Sequence, residues 1–229
     1  MKKFFKFIMW VIILFFGLSI LSVIIYRFVP VPASPLMFIR LAQQFKDGEQ
    51  LKLAHQWVPL DEISPELPRA VWASEDQNFL NHDGFDFDAI EKALQEKARK
   101  GRVRGASTIS QQTAKNVFLW PSSTWTRKAF ETYFTILIEV FWSKQRIMEV
   151  YLNTIEMGRG IYGAEAVALE HFGCHASDLN QNQCALIASS LPNPLKMNSG
   201  SPTNYMYRRQ SQIKRQMRNL GLFPMESEK

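Results

Sequence analysis

The run from Phe7 to Tyr26 carries no charge, and it constrains the fold more than any other stretch of the chain. About 20 apolar residues is the length that crosses a bilayer as a helix. A secretory signal has a shorter apolar region and a small-residue cleavage site. Here Pro30-Val31-Pro32-Ala33-Ser34-Pro35 follows, a poor cleavage site, so the anchor is expected to stay uncleaved. Lys2, Lys3 and Lys6 stand on one side of the run and Arg27 alone on the other, which places the N-terminus in the cytoplasm and the rest outside. The chain divides into a tail at 1–6, an anchor at 7–27, a membrane-proximal linker and helix at 28–64, and a domain at 65–223. Of 229 residues, enough remain after the anchor for one domain with a proper core.

The net charge of +6 suits an anionic membrane surface, a phosphate-bearing substrate or nucleic acid. Placement outside the cytoplasm argues against nucleic acid. Cys174 and Cys184 are too few for a disulfide scaffold and are expected as free thiols, with a bridge as the alternative. No Cys/His spacing resembles a zinc site, and no Gly-rich nucleotide loop is present.

No segment alternates with period two between turn signals, so the domain reads as all-α. Ser34 with Pro35 opens a helix to about Phe45, which rests on the bilayer or packs on the domain. Pro68 to Ser74 reads as an apolar helix with Pro at its first position. Asp86 or Asp88 caps a helix to about Lys100, and Ser107 or Thr108 opens another to Phe118. Thr126 to Trp142 reads as the buried central helix. Ser143 caps the next, to Thr154, and Gly158, Gly160 and Gly163 form a loop. Ala164–Phe172 is helical, Asn180 with Gln183 makes a capping box for the next helix, and Thr203–Leu220 is a final basic helix. Leu119 to Trp125 carries two Trp, which either enter the membrane interface or cap the core.

Three groups carry chemistry. Glu75 and Asp76 end an apolar segment, with Phe79 and His82 just beyond. A carboxylate partly desolvated there has a raised pKa and can act as base or acid; helix-end surface charge is the other reading. Ser107 and Thr108 sit at a helix start, a natural seat for an anion. At i, i+4 spacing, Gln111 and Lys115 with Gln112 can line the same side of a cleft. Arg127, Lys128 and Glu131 share a helix face, as a surface pair or as part of a site. Cations and carboxylates in separate groups beside a membrane suggest a phosphate-bearing substrate and a base.

These motifs stand in a set order. They read Glu75-Asp-x-x-Phe-x-x-His82-x-Gly, Gly-Ala-Ser107-Thr-Ile-x-Gln-Gln-x-x-Lys115, Arg127-Lys-x-x-Glu131, Lys144-x-x-Ile-Met-Glu-Val-Tyr-Leu-Asn153 and Ala185-Leu-Ile-Ala-x-x-Leu-Pro192. In this order, from about Pro65 to Leu195, the chain resembles the family 51 glycosyltransferases, the peptidoglycan polymerases. It looks like their stand-alone form, since it ends soon after the last motif. The resemblance implies a lysozyme-like α fold that joins lipid II into β-1,4 glycan strands and releases undecaprenyl pyrophosphate. It implies Glu75 as the base. Lys115, Ser107, Thr108 and Gln112 would hold the pyrophosphate, with Arg127 and Lys128 adding charge. Glu131 would position the donor or a divalent cation, Mg²⁺ or Mn²⁺. Asp76, Phe79 and His82 would shape the acceptor side. The implied setting is the bacterial inner membrane with the domain in the periplasm, among membrane lipids and other cell-wall synthesis proteins.

Two positions depart from the family pattern. Ala106 stands where Gly is common, tolerable at negative φ. Ser123 stands where an Arg is common, and Arg102, Arg104 or Arg127 is expected to replace that cation. A lysozyme-like hydrolase using Glu75 as acid competes with this reading, as does a non-catalytic scaffold for wall assembly. A neutral polysaccharide needs no phosphate seat, and a scaffold leaves Glu75, Lys115 and Glu131 unexplained together.

Overall fold

A computed structural model describes residues 2–101, 105 and 107–225. The chain starts with α1 (Lys2–Phe28), α2 (Pro35–Lys46) and β1 (Ala54–His55). It continues through α3 (Glu66–Glu75), α4 (Phe87–Lys100), α5 (Ile109–Phe118), α6 (Trp125–Phe141) and α7 (Lys144–Thr154). β2 (Glu156–Gly158), β3 (Ile161–Tyr162), α8 (Ala164–Phe172), α9 (Gln181–Ser190) and α10 (Asn204–Asn219) complete it. The class is all-α, as the absence of period-two alternation predicts.

α1 is long and apolar enough to cross a membrane. Ser19 and Val23 alone among its residues are buried, so a helix this apolar finds little protein to cover it. Lipid is the solvent that suits such a surface. The core is built instead from α3, α5, α7 and α9, whose Leu67, Val71, Ile109, Ile147, Leu152 and Ile187 are fully enclosed.

Most helix starts follow the polar residue the sequence offers. Asp86 accepts the Ala89 N–H at 2.8 Å. Ser143 and Thr203 accept those of Arg146 and Met206. Asn180 and Gln183 form the expected box. Two starts differ. α3 begins at Glu66, ahead of Pro68, which falls in the first turn, where a missing N–H still costs no helical bond. α6 begins at Trp125, because Thr124 caps it by accepting the Arg127 N–H.

α6 is not the buried central helix its apolar content predicts. Glu131, Phe134, Thr135 and Ile138 are buried, while Val140, Ile136 and the Trp125 ring stand exposed. The loop reading of Gly158–Gly163 is also corrected. β1 pairs in parallel with β3 (Ala54 with Ile161) and β2 pairs antiparallel with it. Strands of two or three residues are too short to show a period. Gly163 has φ +85°, and a Cβ there would lie 2.7 Å from the Asn153 carbonyl. α2 packs on the domain: Arg40 binds both oxygens of buried Glu156, at 3.0 and 3.2 Å. Cys174 and Cys184 are free thiols.

The segment before α3 is clasped by one side chain of α7. Asn153 accepts the Val58 N–H at 2.9 Å and donates to the Val58 and Glu149 carbonyls at 2.8 and 2.9 Å. Asn153→Ala leaves the Val58 groups buried and unpaired. Thermal unfolding in detergent is expected to show a loss of about 2–4 kcal/mol.

Candidate active site

The site is framed by one buried carboxylate. Asp76, just past α3, accepts the Ile109 N–H at 3.0 Å and lies 3.0 and 3.1 Å from His82 Nε2. Gly84 N–H donates to His82 Nδ1 at 3.1 Å, so the ring is a neutral imidazole whose Nε2–H points at Asp76. Thr108 Oγ1 donates to the Gly84 carbonyl at 2.7 Å and accepts the Gln111 N–H; Gln111 Oε1 accepts the Thr108 N–H in return. Gly84 has φ +89°, and a Cβ there would meet Thr135 Cγ2 at 2.8 Å. Lys144 donates to the His82 carbonyl at 2.6 Å and to Glu139 at 2.8 Å, and sits 4.6 Å over the Phe79 ring. These bonds join the end of α3, the 76–84 turn and the start of α5 into one rigid piece.

Several sequence-predicted residues therefore belong to the frame. Phe79 is fully buried and stacks on Phe223. His82 spends both ring nitrogens inside the protein. Gln111, expected on the cleft wall, is buried in the capping box. The Thr108 hydroxyl is spent in the same box.

What remains open is Glu75. It ends α3 at the edge of a cleft of about 830 Å³ between α3, α4 and the start of α5, with Asn78, Lys92, Arg99, Ser107 and Gln216 around it. Its Oε1 accepts the Ser74 hydroxyl at 3.1 Å and its Oε2 the Gln112 amide at 3.2 Å. Burial pushes its pKa up, against those two bonds and the Arg209 charge, with Asp76 adding to the rise. One turn along α5 from Gln112, Lys115 is half-buried and its ammonium makes no hydrogen bond or ion pair with the described residues. Burial lowers its pKa; Glu131 opposes that and Arg127 adds to it.

Arg127, Lys128 and Glu131 form an ion-paired triad around one buried carboxylate rather than a surface pair. Glu131 is 3% exposed and pairs through one oxygen with Arg127 and through the other with Lys128. Arg127 also donates to the Ser122 carbonyl, which brings its guanidinium to the turn that holds Ser123. Arg102, Arg104 and Ala106, the other residues weighed at the two departures, lie outside the described residues. Among the described residues no three His, Cys, Asp or Glu groups converge as a metal site. With both Glu131 oxygens engaged by cations, these residues do not fit a divalent ion held by the protein.

Sequence reasoning gave no role to Tyr151, present there only as a letter of the Lys144–Asn153 motif; its hydroxyl donates to Gln112 Oε1 at 3.1 Å. A tyrosine on a core face needs a partner for its hydroxyl, and that was the available signal. Ser74 and Arg209 gave none. Of the two tryptophans between Leu119 and the first residue of α6, Trp125 is 90% exposed, while Trp120 meets Phe130 edge-on.

The domain is mostly helical with one short sheet, and Glu75 stands at the edge of a cleft that Asp86, Asp88, Lys92, Glu96 and Arg99 also line. A family profile described as "Transglycosylase" matches residues 42–218, and the chain belongs to that family. It is 57% identical over 223 residues to a biosynthetic peptidoglycan transglycosylase of Bacteroides thetaiotaomicron, covering 97% of this chain and 90% of that one. The protein of the same description from Bdellovibrio bacteriovorus is 51% identical over 208 residues (91% and 83%), and that of Pseudomonas putida 49% over 203 (89% and 86%). The chain is a peptidoglycan glycosyltransferase acting on peptidoglycan precursors, with an N-terminal helix that fits a single-pass anchor.

Asp76→Asn turns one of the two acceptor oxygens into a donor facing either Ile109 N–H or His82 Nε2–H. The expected loss is about 1–3 kcal/mol, read from thermal unfolding in detergent.

Proposed function

We propose that the chain polymerises lipid II at the outer face of the bacterial cytoplasmic membrane, with Glu75 as general base. The observation that carries this is Glu75 at the cleft edge, linked through Gln112 to the helix face that also bears Lys115, whose ammonium has no partner among the described residues. A base and a cation on one wall are what an inverting transfer from a pyrophosphate needs.

In this reading the acceptor's GlcNAc 4-hydroxyl attacks C1 of the donor MurNAc. Its proton passes to Glu75 as the O–C1 bond forms. The C1–O bond to the α-linked pyrophosphate breaks on the opposite face, and undecaprenyl pyrophosphate leaves with the electron pair. The new linkage is β. Lys115, with the exposed Ser107, holds the leaving oxygens, and Lys128, 40% exposed through its side chain, adds charge. Arg127 takes the place of the cation missing at Ser123 in this scheme, since its guanidinium already reaches that turn. Glu131 holds Arg127 and Lys128 in place. Asp76, Phe79 and His82 set the acceptor wall from beneath. The divalent cation implied by the resemblance would have to displace Arg127 or Lys128 to reach a Glu131 oxygen. Lys2, Lys3 and Lys6 hold the N-terminus in the cytoplasm and the domain in the periplasm. Membrane lipids, the growing strand and other cell-wall synthesis proteins are the partners this implies.

The full chain in detergent micelles, given lipid II, is expected to yield muramidase-sensitive polymer, with Glu75→Gln slower by at least about hundredfold. Equal polymer from both proteins would remove Glu75 as base.

The pH profile follows from the two shifted groups. A base must be ionised, and burial raises the Glu75 pKa, so kcat/KM falls with acid already above the ordinary carboxylate range. A phosphate-holding lysine must be charged, and burial lowers the Lys115 pKa, so KM for lipid II rises with alkali below the ordinary lysine range. Lys115→Arg is expected to flatten the alkaline limb and leave the acid limb in place.

A further inference from the structure

Gln112 stands between two kinds of neighbour. Its Nε2 faces two acceptors, Glu75 Oε2 at 3.2 Å and the Ser107 carbonyl at 3.4 Å. Its Oε1 faces one donor, the Tyr151 hydroxyl at 3.1 Å. Tyr151 is fully buried in α7. Burial, with the charges of Glu75 and Asp76, holds its ionisation well above the ordinary tyrosine range, so the group stays an O–H donor.

We propose that Tyr151 is a positioning residue for the transfer, its hydroxyl fixing the Gln112 amide so that N–H, and not C=O, faces the Glu75 carboxylate. This rests on Glu75 being the base. An ionised carboxylate only accepts, whereas a protonated one must place its own O–H against an acceptor. An amide fixed with N–H toward Glu75 favours the ionised form and offers the neutral form no acceptor at that oxygen. Without the tyrosine hydroxyl, the amide is free to rotate. Its C=O then accepts from protonated Glu75, and the base is ionised over a narrower range of pH.

The other groups around Glu75 act on its charge and not on the amide. Ser74 on α3 and Asp76 just past it flank Glu75, and the charge of Arg209 acts on it from α10. Across the cleft, α4 carries Asp88, Lys92, Glu96 and Arg99, two of each sign. None of them hydrogen-bonds Gln112 Oε1.

The test compares the pH dependence of kcat/KM on lipid II in detergent micelles for wild type, Tyr151→Phe, Gln112→Met and the double variant. Tyr151→Phe is expected to lose about tenfold on the acid side and to converge on the wild-type rate at alkaline pH. The double variant is expected to be no slower than Gln112→Met alone, because Tyr151 acts through that amide. A loss equal at every pH, or additive losses, would overturn the proposal. Should Tyr151→Phe fail to fold, judged by its melting curve, Gln112→Met must shift the same acid limb; an unmoved limb there overturns the proposal as well. Glu75→Gln run beside them separates the two ideas. If it retains activity with the acid limb unmoved, the base assignment falls. If it is inactive while Tyr151→Phe keeps the wild-type limb, only the tyrosine's role falls.

Discussion

The Asp76 carboxylate holds the site together. A buried charge without partners is costly, and this one is matched by the Ile109 N–H at the start of α5 and the His82 ring. The helix start supplies free N–H groups that favour negative charge. His82 in turn is oriented by Gly84, and the Gly84 carbonyl is held by Thr108. Each partner is satisfied through the next, so the end of α3 cannot move independently of α5. Glu75 precedes Asp76 by one residue, and Gln112 and Lys115 lie on α5. Their relative placement is a consequence of the buried neighbour, not of any contact with substrate.

This explains why several motif residues are interior. Phe79, His82, Thr108 and Gln111 share sequence motifs with Glu75 and Lys115, yet each is spent on the protein itself. A short motif does not separate a group that meets substrate from one that aims it. The same holds for Glu131. The i, i+4 spacing to Arg127 shows in the sequence, but its burial shows only once α6 is packed and Lys128 closes the second oxygen.

The helical architecture was largely legible. Asp86, Ser143 and Asn180 cap where their side chains predict, because a cap is decided by residues within one turn of each other. Glu75 at an apolar helix end, with a raised pKa, was legible for the same local reason. What was not legible depends on partners far along the chain. β1 finds β3 across more than a hundred residues, and strands this short carry no pattern. Tyr151 reaches Gln112 only because α7 packs on α5. Residues 102–104 and 106, where two expectations fall, lie outside the described part of the chain.

α6 makes the limit of periodicity plain. Its apolar residues fit a core helix, but its outer side meets α1. Ser19 bonds Tyr133 at 2.7 Å, Phe15 and Phe16 meet Phe130 and Tyr133, and Trp142 Nε1 donates to the Val23 carbonyl. Arg146 closes the end of α1 by donating to the Tyr26 and Val29 carbonyls, groups a helix end leaves unpaired. The anchor is thus docked on the domain along its second half, and a bilayer spanning 7–26 would take part of α6 with it. At 1.5 Å per residue, Ser19 lies roughly 10 Å inward from Tyr26, so Tyr133 and Phe130 sit at hydrocarbon depth in that frame. An apolar helix face answers to whichever apolar phase covers it, core or bilayer. Here part of that face is covered by α1 itself, through Phe15, Phe16 and Ser19.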